Sequence, residues 1–382
     1  MDMSTLFPNE DIVDEFVEEC IQPMFPYGSI MSRSSGIVPG HVKNPPIREV
    51  DFSQSNKSYV GSKYFFNGSY KFLHYTTLKG LMGILDSRQL RLYNLKYMDD
   101  PHEVSHVIEA LSQTSKSEYM ADCKRDGFYC LSMVKPIVEK SEKSIDLWRK
   151  YGDDGRGVAI ELEFQKRQAA HWYQYHLSPV YYGKKDLVEL QKWWNGCNEF
   201  MLRKRLSLTN LERAFQIVKA CHKRAIYQSE KEVRLIYSLR GSVHVSDYKI
   251  AEKKRNDNDI HFDVSGNGNP TDYHVLDLES DKWKKFKSLE GLNATKWDLK
   301  KLYPQVKIKR VIFGYRFPRK EAGDLCRFIR ENLDRKVLFC DSPLRKHFSS
   351  DYKEEDLYGF KQSKIRKSTS PIKISETIHR NR

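Results

Sequence analysis

The chain runs to 382 residues, 39% hydrophobic and 30% charged, with a net charge of +14 and a pI of about 9.2. That is enough for one large core with an appendage, and an aromatic share of 12% excludes a disordered polymer. No apolar run reaches the roughly 18 residues of a membrane span, and Met1 to Glu19 carry acids but neither Lys nor Arg, unlike the basic start of a signal peptide, so a cytoplasmic protein is expected.

The charge is uneven. Seven of the 51 acidic residues precede Arg33, the first of the 65 basic ones, so the body that follows is more basic than the total implies. Such a surface attracts polyanions: nucleic acid, an acidic protein or a dinucleotide. A solvated basic surface with no special partner is the competing account, because no single helix face holds a dense arginine stripe. Cysteines 20, 123, 130, 197, 221, 326 and 340 form no C-x-x-C pair and are odd in number, which reads as buried free thiols in a reducing compartment.

In chain order, residues 10–25 read as an acidic, partly amphipathic helix, and 26–60, rich in Pro, Gly, Ser and Asn, as an irregular arm. The folded body is expected to start near Tyr64. A strand at 70–75 leads through a polar turn into a helix at 77–87. That helix carries Leu78, Leu81, Met82 and Leu85 as an apolar stripe, with Thr76 or Thr77 as N-cap. A short strand at 90–93, a turn around Asp99-Asp100-Pro101 and a helix at 101–114 follow. Further strands are expected at 128–132, 158–162, 179–182, 232–237, 308–314 and 336–339, with helical turns at 144–151 and a helix at 318–334. Residues 186–227 read as a long helical insertion, 239–275 as mostly loop with short strands, and 361–382, with seven basic residues against Glu376, as a disordered tail. Strands cluster around helical insertions instead of alternating with helices, which argues α+β over a doubly wound sheet.

No phosphate loop, nucleophile elbow or metal-ligand spacing is present. His102 and His106, spaced i, i+4 around Glu103, read as exposed helical histidines. What remains is His74 at the strand–turn junction, the Tyr129–Ser132 strand, the Trp148–Gly157 segment, and Glu230 with Glu232 ahead of Arg234. Strand period two would put both acids and Arg234 on one face. A carboxylate at a sheet rim beside a histidine can orient a ribose or stabilise developing positive charge; a Glu–Arg pair on an exposed edge is the plainer account.

Several blocks in order resemble an uncharacterised, mostly prokaryotic family of unknown function. They are Phe72 to Leu92, Asp99-Asp100-Pro101-His102-Glu103, Phe128 to Ser132, Leu147 to Gly152, Gly157 to Leu162, Val180-x-Tyr182, Glu230 to Leu235 and Val311 to Gly314. Asp99 stands where that family usually has Asn, and Val233 where it usually has Trp. The opening His74-Tyr75-Thr76 is also similar to that of ADP-ribosyltransferases and RNA 2′-phosphotransferases. That resemblance implies a split mixed or antiparallel sheet and NAD as substrate. His74 would then hold the NAD ribose, and Glu232 its 2′-hydroxyl. Glu230 would be the upstream member of an E-x-E pair that helps choose the acceptor. Tyr129 or Ser132 would line the nicotinamide pocket, with Tyr75, Thr76, Trp148 and Tyr151 as further pocket candidates.

The domain organisation expected is an acidic helix and arm at 1–60, a catalytic-like α+β body at 61–345 and a basic tail at 346–382. The function expected is an NAD-dependent ADP-ribosyltransferase or NAD hydrolase without a metal, acting on RNA or DNA as a toxin or phage-defence effector. The alternatives are a non-catalytic or nuclease-like nucleic-acid binder and a sensor that holds a nucleotide without turnover.

Overall fold

The computed structural model describes residues 10–34, 47–52, 56–98, 105–112, 127–140, 144–172, 174–204, 207–209, 216–238, 260–264, 270–278, 303–332 and 337–345. The Asp99–Glu103 turn and the 361–382 tail lie outside these residues. Ten strands form one sheet: β1 (Lys71–Thr76), β2 (Gln89–Asn94), β3 (Phe128–Val134), β4 (Val158–Phe164), β5 (Tyr175–Pro179), β6 (Glu232–Ser238), β7 (Ile260–Val264), β8 (Pro270–Asp277), β9 (Val306–Phe313) and β10 (Leu338–Asp341). The order is β7-β8-β2-β3-β1-β4-β9-β10, and every pairing is antiparallel except β9 with β10. The fold is thus α+β with a mostly antiparallel, open sheet.

The sheet forks at β3. Along one edge, β6 pairs with it from Phe128 to Val134 and then carries β5. Along the other, β2 meets Tyr129 and Cys130 while β1 meets only Val134. Among the described residues, no strand pairs with 131–133 on that edge. Both β3 and β6 are buried nearly throughout. A strand with no solvent face cannot leave charge to water, so Glu232 and Arg234 in β6 must be neutralised inside the protein.

Helix α1 (Leu78–Ser87) follows β1. Thr77 caps it by accepting from the Gly80 N–H at 3.0 Å, Arg88 ends it in the left-handed region (φ 55°), and Leu81, Ile84 and Leu85 are buried. One core covers one sheet face beneath α1 and α4 (Arg319–Asn332). Two separate cores share the other face. One packs around the N-terminal helix, α3 (Lys184–Arg203) and Cys130; the other packs around α2 (Ser144–Tyr151), Leu73 and Val134. Ser132 lies between Cys130 and Val134 in β3, so the fork opens where these two cores part.

Two glycines hold the sheet edge close. A Cβ on Gly157 would sit 2.4 Å from the Thr76 carbonyl oxygen, and one on Gly314 would sit 2.2 Å from the Gly155 carbonyl oxygen. Both obstacles are backbone, which cannot swing aside. Gly314→Ala is therefore expected to cost about 1–3 kcal/mol in urea unfolding, an overpacking loss; an unchanged midpoint would contradict this.

Elsewhere the chain departs from its sequence pattern. The insertion read as helical over 186–227 stops at Arg203 and gives way to a strand (Ser207–Thr209), a short helix (Gln216–Ala220), a two-residue strand (His222–Lys223) and a 3-10 turn (Ala225–Glu230). The short strands expected within 239–275 include the antiparallel β7–β8 pair, which joins the main sheet through β2. The arm read as irregular holds Ile30–Ser34 and Ile47–Phe52, which form a small sheet with Ser207–Thr209. The body begins well before Tyr64, since Phe16, Ile21, Phe25 and Tyr59 are all buried. The acidic helix docks on α3: Glu15 pairs with Lys204 at 2.6 Å, Glu19 with Arg203 at 2.8 Å, and Trp193 donates to the Cys20 carbonyl. Among the described residues, no helix is long and apolar enough to cross a membrane.

Candidate functional site

A cavity of about 320 Å³ opens at the fork. His74 and Tyr75 of β1 line it, with Ser132 of β3, Tyr151 of α2, and Glu230 and Glu232 at the start of β6. The gap between β1 and β2 gives access to the edge of β3, and the two parted cores leave the space above it. Arg91, Tyr93, Tyr97, Lys223 and Tyr227 also line it, beside apolar groups such as Met98 and Leu147.

Ser132 joins the two halves. Its backbone carbonyl accepts a hydrogen bond from His74 Nδ1 at 3.0 Å, and its hydroxyl donates to Glu232 Oε1. A carbonyl can only accept, so Nδ1 carries the proton and Nε2 is the ring's acceptor when the imidazole is neutral. Burial lowers the His74 pKa, against the opposing pull of the Ser132 carbonyl, so the ring is neutral at pH 7.

Glu232 is 4% exposed. Its carboxylate takes Arg234 Nε at 2.8 Å and Nη2 at 3.2 Å, with Lys223 Nζ at 2.6 Å. Burial alone would raise its pKa; the Arg234 and Lys223 charges overcome this and hold it at about 2. Arg234 Nη1 also donates to the Ala220 carbonyl, at 2.6 Å. The Tyr182 hydroxyl accepts from the Glu232 N–H at 2.9 Å. This is a buried pair on a strand hydrogen-bonded on both sides, unlike the exposed-edge alternative.

Glu230 arrives by a different route from the one its spacing implies. It ends the 3-10 turn, and Lys231 takes a left-handed conformation (φ 46°) before the strand begins. Strand alternation therefore does not relate Glu230 to Glu232. Lys223 does: its ammonium bridges Glu230 Oε2 at 3.0 Å and Glu232 Oε2 at 2.6 Å. Tyr151 donates to Glu230 Oε1 at 2.8 Å, and Lys150 lies 3.4 Å from the same oxygen.

The other sequence candidates part company here. Tyr75 touches the cavity, but its hydroxyl donates to Glu139 Oε2, and its ring meets Trp148 edge-on at 4.9 Å. Trp148 is fully buried behind it and donates to Glu139 Oε1, so it supports the wall from behind. The Thr76 hydroxyl lies 2.1 Å from where a Gly80 Cβ would be, packed on α1 and off the cavity wall. Tyr129 faces the opposite core, where its hydroxyl donates to Asp272 at 2.6 Å. Lys223, Tyr227, Arg91, Tyr93 and Tyr97 were not singled out by the sequence. Lys223 and Tyr227 lay hidden in a stretch that reads as helix, and Tyr93 in a strand whose outer face carries no motif. Among the described residues, no group of three or more His, Cys, Asp or Glu could hold a metal ion.

A family described as Protein of unknown function (DUF2971) matches residues 147–235. That span carries Tyr151, Lys223, Glu230, Glu232 and Arg234, while His74 and Ser132 lie outside it. No curated protein and no solved structure matches the chain.

Proposed function

We propose that the chain is an NAD-using enzyme of ADP-ribosyltransferase type, or an NAD hydrolase, with a nucleic acid as the acceptor in the transferase case. The observation that carries this reading is the Ser132 junction: one residue bonds the His74 imidazole and the Glu232 carboxylate within one cavity. The fork in the sheet supports the split-sheet arrangement expected of such enzymes. A cavity of about 320 Å³ is at the small end of ligand pockets, roughly 300–1,000 Å³. It suits nicotinamide and its ribose, with the adenosine half over the rim.

The chemistry asks for little proton transfer. The bond from ribose C1′ to the nicotinamide nitrogen breaks with its electron pair leaving on nicotinamide, and an acceptor oxygen or nitrogen, or water, closes on C1′. The nucleophile's proton passes to solvent. Glu232 would accept a hydrogen bond from the ribose 2′-hydroxyl in place of the one from the Ser132 hydroxyl, a contact that strengthens as positive charge builds at C1′. His74 Nε2 would take a second ribose hydroxyl. Arg234 and Lys223 fix the carboxylate in place, so no reorganisation is needed when that charge develops. Tyr97 and Tyr227, on the cavity wall, would flank the nicotinamide ring. The net charge of +14 favours a polyanionic acceptor, and covalent marking of nucleic acid would suit a toxin or phage-defence effector.

The wild-type protein is expected to release nicotinamide from ring-labelled NAD. Glu232→Gln should release it about 100-fold more slowly while keeping its circular dichroism spectrum. Equal release by the two proteins would overturn the reading.

A further inference from the structure

Beside the cavity, the outer arm of the sheet carries a row of rings. Tyr93 of β2 pairs in register with Tyr273 of β8, and Tyr273 pairs with His261 of β7. Residues directly opposite across antiparallel strands project from the same face, so the three rings stand side by side. Tyr273 lies 5.9 Å from Tyr93 and 5.6 Å from His261, the latter pair nearly parallel at 22°. The reverse face of these strands is core: Leu92 and His274 are buried. The ring face is partly open, with Tyr93 39% exposed, His261 exposed and Tyr273 between them half-buried. Arg91 lies over Tyr273 at 4.5 Å, held by Asp263 at 2.6 Å.

A fold does not leave a line of flat rings in water for stability, since such rings gain most when buried. The row starts at Tyr93, which also lines the cavity, and runs outward across two strands. We infer that this face is a stacking platform for single-stranded nucleic acid, whose successive bases lie on Tyr273 and His261 while the base at Tyr93 is presented to the cavity. The inference rests on the proposed function only in taking the bound strand as the acceptor. Charge favours this occupant: the chain carries +14, and the Arg91 guanidinium stands among the rings. Strand neighbours about 4.8 Å apart set a ring spacing that an extended strand with splayed bases can follow, whereas the stacked bases of a duplex expose no faces to it.

The test is fluorescence anisotropy with the full chain and labelled RNA and DNA oligomers of about 15 nucleotides, single-stranded and as duplexes, without NAD. The single strand is expected to bind at least about tenfold tighter than the duplex. Tyr273→Ala and His261→Ala should each weaken it roughly 5- to 100-fold, and Tyr273→Phe by less than about twofold, because a base stacked on an aromatic ring contributes about 1–3 kcal/mol. His261, at the sheet margin, guards against a folding defect in the Tyr273 variant. Nicotinamide release without acceptor should be unchanged in both alanine variants, so loss of strand binding with release intact separates this surface from the NAD site. Equal affinity for single strand and duplex, or unchanged binding by both variants, would overturn the platform. So would a concentration-dependent dimer that Tyr273→Ala dissolves in the absence of oligomer binding, which would assign the face to a second copy.

Discussion

Arg234→Met is expected to lower the unfolding free energy by about 3–5 kcal/mol, the usual loss when one member of a buried ion pair is removed. Arg234 is fully buried, donates twice to Glu232 and once to the Ala220 carbonyl. Its loss leaves the buried carboxylate to Lys223, a cation that it shares with Glu230. The Ala220 carbonyl also loses a donor. Methionine fills much of the volume, so the deficit is electrostatic and not a cavity. Adding Glu232→Leu to Arg234→Met should restore part of the loss, because it removes the orphaned charge. The double variant is expected to be more stable than the sum of the single effects by at least about 1 kcal/mol. Urea unfolding of the four proteins measures this, and additive losses would show that the pair is not a coupled unit.

Much of the site could be read from residue order, for reasons that differ by residue. His74 stood out because a polar ring at a strand–turn junction, followed by a capped helix, is set by local rules alone: Thr77 caps α1 and the alternation of β1 delivers His74 beside the gap. Glu232 and Arg234 share a face because both lie inside a regular strand. Glu230 enters the cavity by a route that its spacing does not imply, since the left-handed Lys231 interrupts the alternation that would join it to Glu232. Lys223 was invisible because its role depends on a two-residue strand pairing with Tyr181 and Tyr182, a contact that no local pattern announces. Trp148 and Tyr75 sit adjacent to the cavity in sequence blocks that hold chemistry, yet their polar atoms turn to Glu139. Only tertiary packing decides which side of a wall an aromatic group serves. The short strands expected in 239–275 are present as β7 and β8, but their bounds and their pairing to β2 are hidden by Asn/Asp-rich surroundings.

Acid should strip stability through Glu232 in one window and add a little through Glu139 in another. Glu232 sits at about 2 in the folded protein, below its ordinary 4.5, so the unfolded chain takes up the proton first. Its contribution, on the order of 3 kcal/mol, is therefore complete above about pH 4.5 and is lost as pH falls through the folded value. Glu139 has the opposite sign. Burial raises its pKa despite hydrogen bonds from Ser342, Tyr75 and Trp148, so the folded state takes up the proton first and gains stability as pH falls towards the ordinary carboxylate value. Comparing each glutamate with its Gln variant isolates the two effects. The stability gap between wild type and Glu232→Gln is expected to narrow steadily from about pH 4.5 towards 2, while Glu139→Gln should abolish a small rise in stability above pH 4.5. A gap for Glu232 that holds constant down to pH 2 would mean that the Arg234 and Lys223 charges do not set its ionisation. The clamp would then have lost its physical basis as the holder of the carboxylate proposed to act on the ribose.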